Sequence, residues 1–417
     1  MVWLKGLSGT FAKDRSGSVA IIFTLALVML ICLIGLAVDF ARAQQASAEI
    51  SNAIDAAALE GAKGMVEEDL TNDETKQRVQ QFLNAEIGSS RFNVGDIANL
   101  HIATEKLEGA VTINVDVNVP TTFSRIFNKD NISFHQMAKT SYKVKNVELA
   151  MVLDTTGSMH DFNKLAEMKL AAGQAIDILM PPNRTALNRI ALAPFAASVN
   201  AGAYAGAVSG GASADCVVER AGADEATDAS GVTSPVGVTP LDPPGLVNGN
   251  CPGQEIMPMS KDAVALKASI NAYSANGGTA GHIGLAWGWY LISPNWASLF
   301  PTASQPKAYG DPKSIKAILL MTDGMFNTAY LPGMSSPVLA ASLCDAIKLH
   351  DVKIFTIGFE LALNAPPDDV NARTLLGNCA SPDGQGGNEF YDVANGADLS
   401  AAFVKIAGKL SKLRLSN

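Results

Sequence analysis

The stretch Val19–Val38, VAIIFTLALVMLICLIGLAV, runs for 20 residues without a charged side chain. At 1.5 Å per helical residue it covers about 30 Å, the thickness of a bilayer's hydrocarbon core. Lipid offers no partner to a backbone N–H or C=O, so a segment crossing it must be helical. Residues 19–40 are therefore read as a transmembrane helix in contact with the lipid bilayer. Lys5, Lys13 and Arg15 precede it, whereas Asp39 and only Arg42 follow closely. The positive-inside rule then puts a tail, residues 1–18, in the cytoplasm and the bulk of the chain across the membrane. The rival is a cleaved signal peptide. Ala41-Arg42-Ala43 has the small-x-small form of a cleavage site, but the apolar run is longer than the roughly 7–15 residues usual for a signal.

A chain of 417 residues exceeds the size, about 250–300 residues, at which single cores stop growing. An anchor and two domains are expected. The net charge of −9 and an aromatic content of 6% leave no basic footprint for a phosphate backbone, which excludes nucleic acid as a partner class.

After the anchor, residues 41–64 extend the helix. Ala43, Ala46, Ile50, Ile54, Ala57 and Gly61 recur every three or four positions, with Gln44, Gln45, Glu49 and Asn52 elsewhere. This small-residue stripe can pack on another pilin-like helix or on the chain's own next domain. Residues 65–146 read as a small α+β domain on the periplasmic side. Thr75–Ile87 is expected to be helical, and Val111, Ile113, Val115, Val117 and Val119 alternate with polar residues up to Pro120, as in a half-buried strand. Asn114, Asp116 and Asn118 share one face of that strand and are read as a solvated surface rather than a calcium site.

From residue 147 to 417, apolar strands alternate with helical stretches, the signature of a mostly parallel sheet covered on both faces. Strands are expected at Ile190–Phe195, Ala317–Met321 and Val352–Phe359. Helices are expected at Asp161–Leu179, Asp262–Tyr273, Gly281–Leu291 and Val338–Leu349, with a closing helix marked by Leu399, Phe403, Ile406 and Leu410. Residues 202–259 are rich in Gly, Ala, Ser, Asp and Pro without periodicity and read as a long surface insertion. Of the five cysteines, Cys32 falls in the membrane helix. The other four allow 3 pairings in an oxidising compartment. Cys216 with Cys251, both in the insertion, and Cys344 on an expected helix with Cys379 in a late loop are the favoured pairs, and buried free thiols are the alternative. No CxxC spacing supports zinc.

Three loops carry the chemistry. The run Leu149–Leu153 ends in Asp154-Thr155-Thr156-Gly157-Ser158-Met159; Ile318–Met321 ends in Thr322-Asp323-Gly324; Gly277-Gly278-Thr279-Ala280-Gly281 lies between. In open α/β sheets ligands gather at the carboxyl ends of strands. Oxygen-only donors of modest charge suit one hard divalent ion, Mg²⁺ or else Mn²⁺ or Ca²⁺. Asp154 alone also reads as a helix N-cap. The coincidence of Asp154, Thr156, Ser158, Thr279 and Asp323 favours a metal framework.

With these loops in place, residues 147–417 resemble the von Willebrand factor A (Rossmann-like) domain. Its metal-ion-dependent adhesion site has an Asp-x-Ser-x-Ser loop, a distant Thr and a later Asp. Asp154, Ser158, Thr279 and Asp323 match that pattern, while Thr156 stands where Ser is usual. The nearly full-length pattern GSVAIIFTLAL, VDFARAQQASAEISNAIDAAALEGAK, DTTGSM, GGTAGHIGLAWGWYLISP and ILLMTDG resembles the TadG-like family of bacterial tight-adherence (Flp) pilus assembly. The position five residues after Gly17, where processed pilins carry Glu, is Ile22, so pilin-type cleavage is not expected. The resemblance implies a single-pass inner-membrane protein acting without catalysis as a scaffold or adhesion element. Its partners would be other pilus-assembly or pilin-like proteins, one of which completes the metal shell with an Asp or Glu.

His160 and His282 follow two of the loops. They could shape the rim of the site, but are read as solvent-facing or helix-capping residues. Trp287, Trp289 and Trp296 are read as core. Enzyme readings lack their parts: Ser158 is in no Gly-x-Ser-x-Gly elbow, Gly277-Gly278 lacks the lysine of a phosphate loop, and Thr156 stands where a phosphotransferase needs a second Asp. A metal-dependent hydrolase and a structural A domain with an idle site are the alternatives.

Overall fold

The computed structural model describes residues 17–68, 70–88, 96–106, 109–141, 145–181, 188–212, 216–238, 251–361 and 368–413. The basic residues Lys5, Lys13 and Arg15, on which the cytoplasmic tail was assigned, lie outside the described residues. The chain divides into two compact units, residues 1–143 and 144–417.

In the first unit, helix α1 (Gly17–Glu67) is 51 residues long. From Ile21 to Ile34 it is uncharged and has no buried side chain, and among the described residues it is the one helix long and apolar enough to cross a bilayer. Its second half buries Ala46, Ile50, Ala53, Ile54, Ala57, Ala58 and Ala62. They pack on Val79 and Leu83 of α2 (Asn72–Gly88) and on one face of a three-stranded antiparallel sheet, β1 (Asp96–Glu105), β2 (Ala110–Pro120) and β3 (Asn131–Ser141). The small-residue stripe therefore serves the chain's own domain. Gly61 is small because a Cβ there would collide with the Val79 side chain. The alternation in β2 works as expected: Val111, Ile113, Val115 and Val117 are fully buried. On the opposite face Asp116 accepts a hydrogen bond from Asn99 Nδ2 (3.0 Å) and pairs with His135 Nδ1 (2.8 Å).

The second unit is a doubly wound α/β sandwich, as expected of an A-type domain. Strand β4 (Asn146–Asp154) is followed by α3 (Lys164–Leu179) and β5 (Arg189–Phe195). Three short strands, β6 (Val199–Asn200), β7 (Cys216–Val218) and β8 (Gly237–Val238), form a small separate sheet. Then come β9 (Met257–Ser260), α4 (Ala263–Asn271), α5 (Gly281–Ile292), β10 (Ser314–Thr322), α6 (Ser336–Lys348), β11 (Lys353–Phe359), α7 (Asp368–Cys379), β12 (Phe390–Val393) and α8 (Gly396–Leu413). The main sheet has the order β12-β11-β10-β4-β5-β9 and is parallel except for β9 against β5. Strand β4 is buried on both faces. Leu149, Met151 and Leu153 pack towards Met168, Ile176 and Phe403, while Ala150 and Val152 pack towards Ile283 and Trp287.

Three expectations need correction. The helix after the first loop starts at Lys164, not Asp161. Asp161 is extended and Phe162 and Asn163 have φ of 50° and 64°, which an α-helix does not admit. Residues 202–259 are not a surface insertion throughout. Val208, Val217, Val218, Val236, Ile256 and Met259 are core residues, and 257–260 form the edge strand of the main sheet. Strands of two to four residues are too short to show a period. Cys379 ends a helix rather than sitting in a loop. The structure pairs Cys216 with Cys251 and Cys344 with Cys379, with Cα separations of 5.9 and 5.1 Å.

Candidate metal centre

Chain direction reverses across the sheet between β4 and β10. From β4 the chain moves to β5 on one side, and from β10 to β11 on the other. Such a switch point opens a crevice at the carboxyl ends of the two strands. Parallel register sets Met321 opposite Leu153, so Asp154 and Thr322 leave the sheet side by side. Thr322 Oγ1 donates to Asp154 Oδ2 at 2.6 Å, and the backbone N–H of Thr156 donates to Asp154 Oδ1 at 2.8 Å. Asp154 is thus an acceptor inside the turn rather than the cap of α3.

The remaining groups follow in a chain. Thr156 Oγ1 lies 3.1 Å from Ser158 Oγ, and Ser158 Oγ donates to Asp323 Oδ1 at 2.6 Å. The second loop is docked through its backbone: Gly157 N donates to Gly277 O (2.9 Å), Asn276 N to Thr155 O (2.8 Å) and Ala280 N to Ala196 O (2.8 Å). Gly277 has φ of 78°, a left-handed conformation that glycine adopts without strain. Asn327 Oδ1 accepts from Thr279 N at 2.9 Å. Asp154, Thr156, Ser158 and Asp323 are therefore joined directly. Among the described residues, no side-chain hydrogen bond joins Thr279 to the other four.

Asp154 is fully buried and faces the charge of Asp323, and these two causes push its carboxyl up to about 7. Two buried carboxylates lined by hydroxyls form a hard-oxygen set that a divalent cation would neutralise. The residues present fit such an ion. The described residues hold no group of three or more His, Cys, Asp and Glu placed to bind a metal, so any ion here depends on the hydroxyls.

One participant was missed from sequence. Lys164 Nζ donates to Asp323 Oδ2 at 2.9 Å and lies 4.0 Å from Glu360 Oε2. Burial raises the Glu360 carboxyl, and Lys164 opposes that rise. The available signal was electrostatic: a lysine in the first turn of a helix opposes the helix dipole and needs a compensating partner. His282 also departs from its reading. It is buried, with Nδ1 2.6 Å from Ser336 Oγ and Nε2 3.5 Å from Glu219 Oε2. Trp287, Trp289 and Trp296 are buried in the core. His160 is exposed.

Residues 17–64 match the Flp pilus-assembly TadE/G-like family. The similarity lies within the amino-terminal helix, Gly17–Glu67. That TadE/G-like segment takes in the exposed apolar run and most of the packed stripe of α1. No curated protein matches the chain by sequence. Among solved structures the chain is similar to the pilus adhesin SpaC from Lactobacillus rhamnosus GG in its open conformation, at 12% identity and TM-score 0.40, covering 76% of this chain and 34% of that one. It is similar to the PilB minor pilin from Streptococcus sanguinis, at 14% identity and TM-score 0.37, covering 79% and 81%. It is also similar to a von Willebrand factor type A protein from Catenulispora acidiphila, at 16% identity and TM-score 0.33, covering 76% and 50%. The chain spans about a third of the length of SpaC.

Proposed function

We propose that the chain is a membrane-anchored, non-catalytic scaffold or adhesion element of a pilus-assembly machinery, and that it engages a partner through a divalent metal at the carboxyl end of its parallel sheet. The observation that carries this reading is the bonded cluster of Asp154, Thr156, Ser158 and Asp323 at the switch point. Asp154, Thr156, Ser158, Thr279 and Asp323 would hold one ion, with Mg²⁺ or Mn²⁺ the natural choice for hydroxyl and carboxylate donors. Two carboxylates offset by the Lys164 ammonium leave such an ion poorly neutralised, so an Asp or Glu from a partner is attracted to it. Phe162, 75% exposed, follows Ser158 by four residues and offers an apolar contact near the rim. The TadE/G-like helix supports placing the chain in the inner membrane with its bulk in the periplasm, beside pilin-like or other assembly proteins.

A specific observation favours a second reading. Lys164 already supplies a positive charge to Asp323, so the framework could stand as an A-type fold whose tethered ammonium takes the ion's place. Titration of the full-length protein in nanodiscs with Mn²⁺, followed by electron paramagnetic resonance, separates the two. Saturable binding that is lost in Asp154→Asn supports the metal-dependent reading; no binding at millimolar Mn²⁺ supports the second. Cross-linking in cells, wild type against Asp154→Asn, then identifies the partner that depends on the site.

A further inference from the structure

Within the first unit, the side chains described from Ile21 to Ile34 have no buried member. The first covered positions of α1 are Gly35 and Asp39. They are four residues apart and share a face. Both are covered by the turn after β2. A Cβ built at Gly35 would lie 2.5 Å from Phe123 Cγ, so the absence of a side chain lets the Phe123 ring lie against the helix backbone. The Asp39 carboxylate accepts the backbone N–H groups of Thr122 (3.0 Å), Phe123 (2.8 Å) and Ser124 (2.7 Å), and the Ser124 hydroxyl (2.9 Å). Arg42 Nη1 donates to Thr122 Oγ1 at 3.1 Å. Four hydrogen bonds thus satisfy a carboxylate at the edge of the apolar run, where an unpaired one would be costly, and they fix the turn to the helix.

The rest of the turn is a short 3-10 helix, Ser124–Phe127, and it turns apolar side chains outward. Ile126 is 71% exposed, Phe127 54% and Phe123 37%. Arg125, paired with Asp130 at 3.4 Å, and Lys129 are exposed on the same turn. Gly35 precedes Asp39 by four residues, about 6 Å along the helix axis, so Phe123 touches α1 inside the uncharged run. An exposed apolar patch continuous with a lipid-facing helix, with cations at its border, has the composition of an interfacial membrane contact.

We infer that the turn Phe123–Phe127 is a membrane wedge. Ile126 and Phe127 enter the acyl boundary of the leaflet from which α1 emerges, and Arg125 and Lys129 sit at the level of lipid phosphates. The wedge fixes the tilt of the first unit against the bilayer, which a lone helix crossing does not. This inference rests on reading residues 19–40 as a membrane span.

The test uses the full chain in phosphatidylcholine–phosphatidylglycerol nanodiscs. A nitroxide is placed at Ile126→Cys in a Cys32→Ala background, and in a separate sample on the native Cys32. Collision with oxygen, which partitions into lipid, is compared with collision with a water-soluble nickel chelate. The wedge requires a position 126 label that favours oxygen, at a shallower depth than the Cys32 label. It also requires that Gly35→Leu, which displaces Phe123, moves the label towards the chelate while circular dichroism stays unchanged. A label at 126 that favours the chelate while Cys32 remains deep overturns the wedge and leaves the span intact. A water-exposed Cys32 overturns the span, and the wedge with it. Shielding of position 126 from both quenchers points to a protein partner or a second copy on this face, and also overturns the lipid assignment.

Discussion

Lys164 Nζ and Asp323 Oδ2 are 2.9 Å apart, with the two side chains 5% and 0% exposed, at the mouth of the crevice between β4 and β10. The last acidic residue of the framework therefore shares its charge with an ammonium supplied by the helix that follows the first loop. Several properties of the site turn on this pair.

Removing the ammonium should strengthen cation binding. A unit charge a few ångströms away is worth about 1–4 kcal/mol depending on the effective dielectric, so Lys164→Met is expected to tighten Mn²⁺ affinity by about tenfold or more. Isothermal titration with Mn²⁺ measures it directly. Unchanged or weaker affinity would show that Lys164 does not oppose the ion.

The metal-free protein should lose stability as pH rises. The Asp154 carboxyl moves from 3.8 to about 7 on folding, so its proton favours the folded state. That contribution is complete below pH 3.8 and is lost as pH climbs through about 7. Melting temperature measured in EDTA from pH 5 to 8 should therefore fall, and saturating Mg²⁺ should flatten the decline because a bound cation stabilises the ionised form. Asp154→Asn should remove both effects.

Phe162 is strained. Its φ of 50° is a left-handed conformation that costs a residue with a Cβ about 1–2 kcal/mol, and its ring is 75% exposed, so little packing offsets that cost. Phe162→Gly is expected to stabilise the protein by about 0.5–1 kcal/mol in urea denaturation, the relief being reduced by glycine's larger unfolded-state entropy. A net loss of stability would reveal packing that the exposed ring does not show.

The opposite end of the sheet holds a buried ion group. Glu148 is 1% exposed and pairs with Arg189 and with Lys316 Nζ, the latter at 2.5 Å. Glu148→Ala would strand two cations in a dry site and is expected to cost about 3–5 kcal/mol, read from urea denaturation at neutral pH. A cost under about 1 kcal/mol would mean that water reaches the cluster.

Periodicity located most of the sheet and its helices because their signals are local. Runs such as Leu149–Leu153 and Ile318–Met321 need no long-range information to be read as strands buried on both faces. The signal failed where elements were short or where local geometry was irregular. Strands β6 to β9 span two to four residues each, too few for alternation to register. The start of α3 was misplaced because Phe162 and Asn163 adopt left-handed conformations that nothing in their residue types announces.

The residue types alone determined the uncharged apolar run near the amino terminus and the two carboxylate-bearing turns at strand ends, because apolar runs, turn residues and their order are properties of the chain. Only the folded structure decided which groups meet. Parallel register set Thr322 beside Asp154, and packing of α3 carried Lys164 onto Asp323, 159 positions away in sequence. The same holds for Asp39, which finds its four donors on a turn more than 80 residues downstream. Such pairings have no local signature: a lysine's charge is visible in the sequence, but the partner that makes its burial tolerable is chosen by the geometry of the sheet.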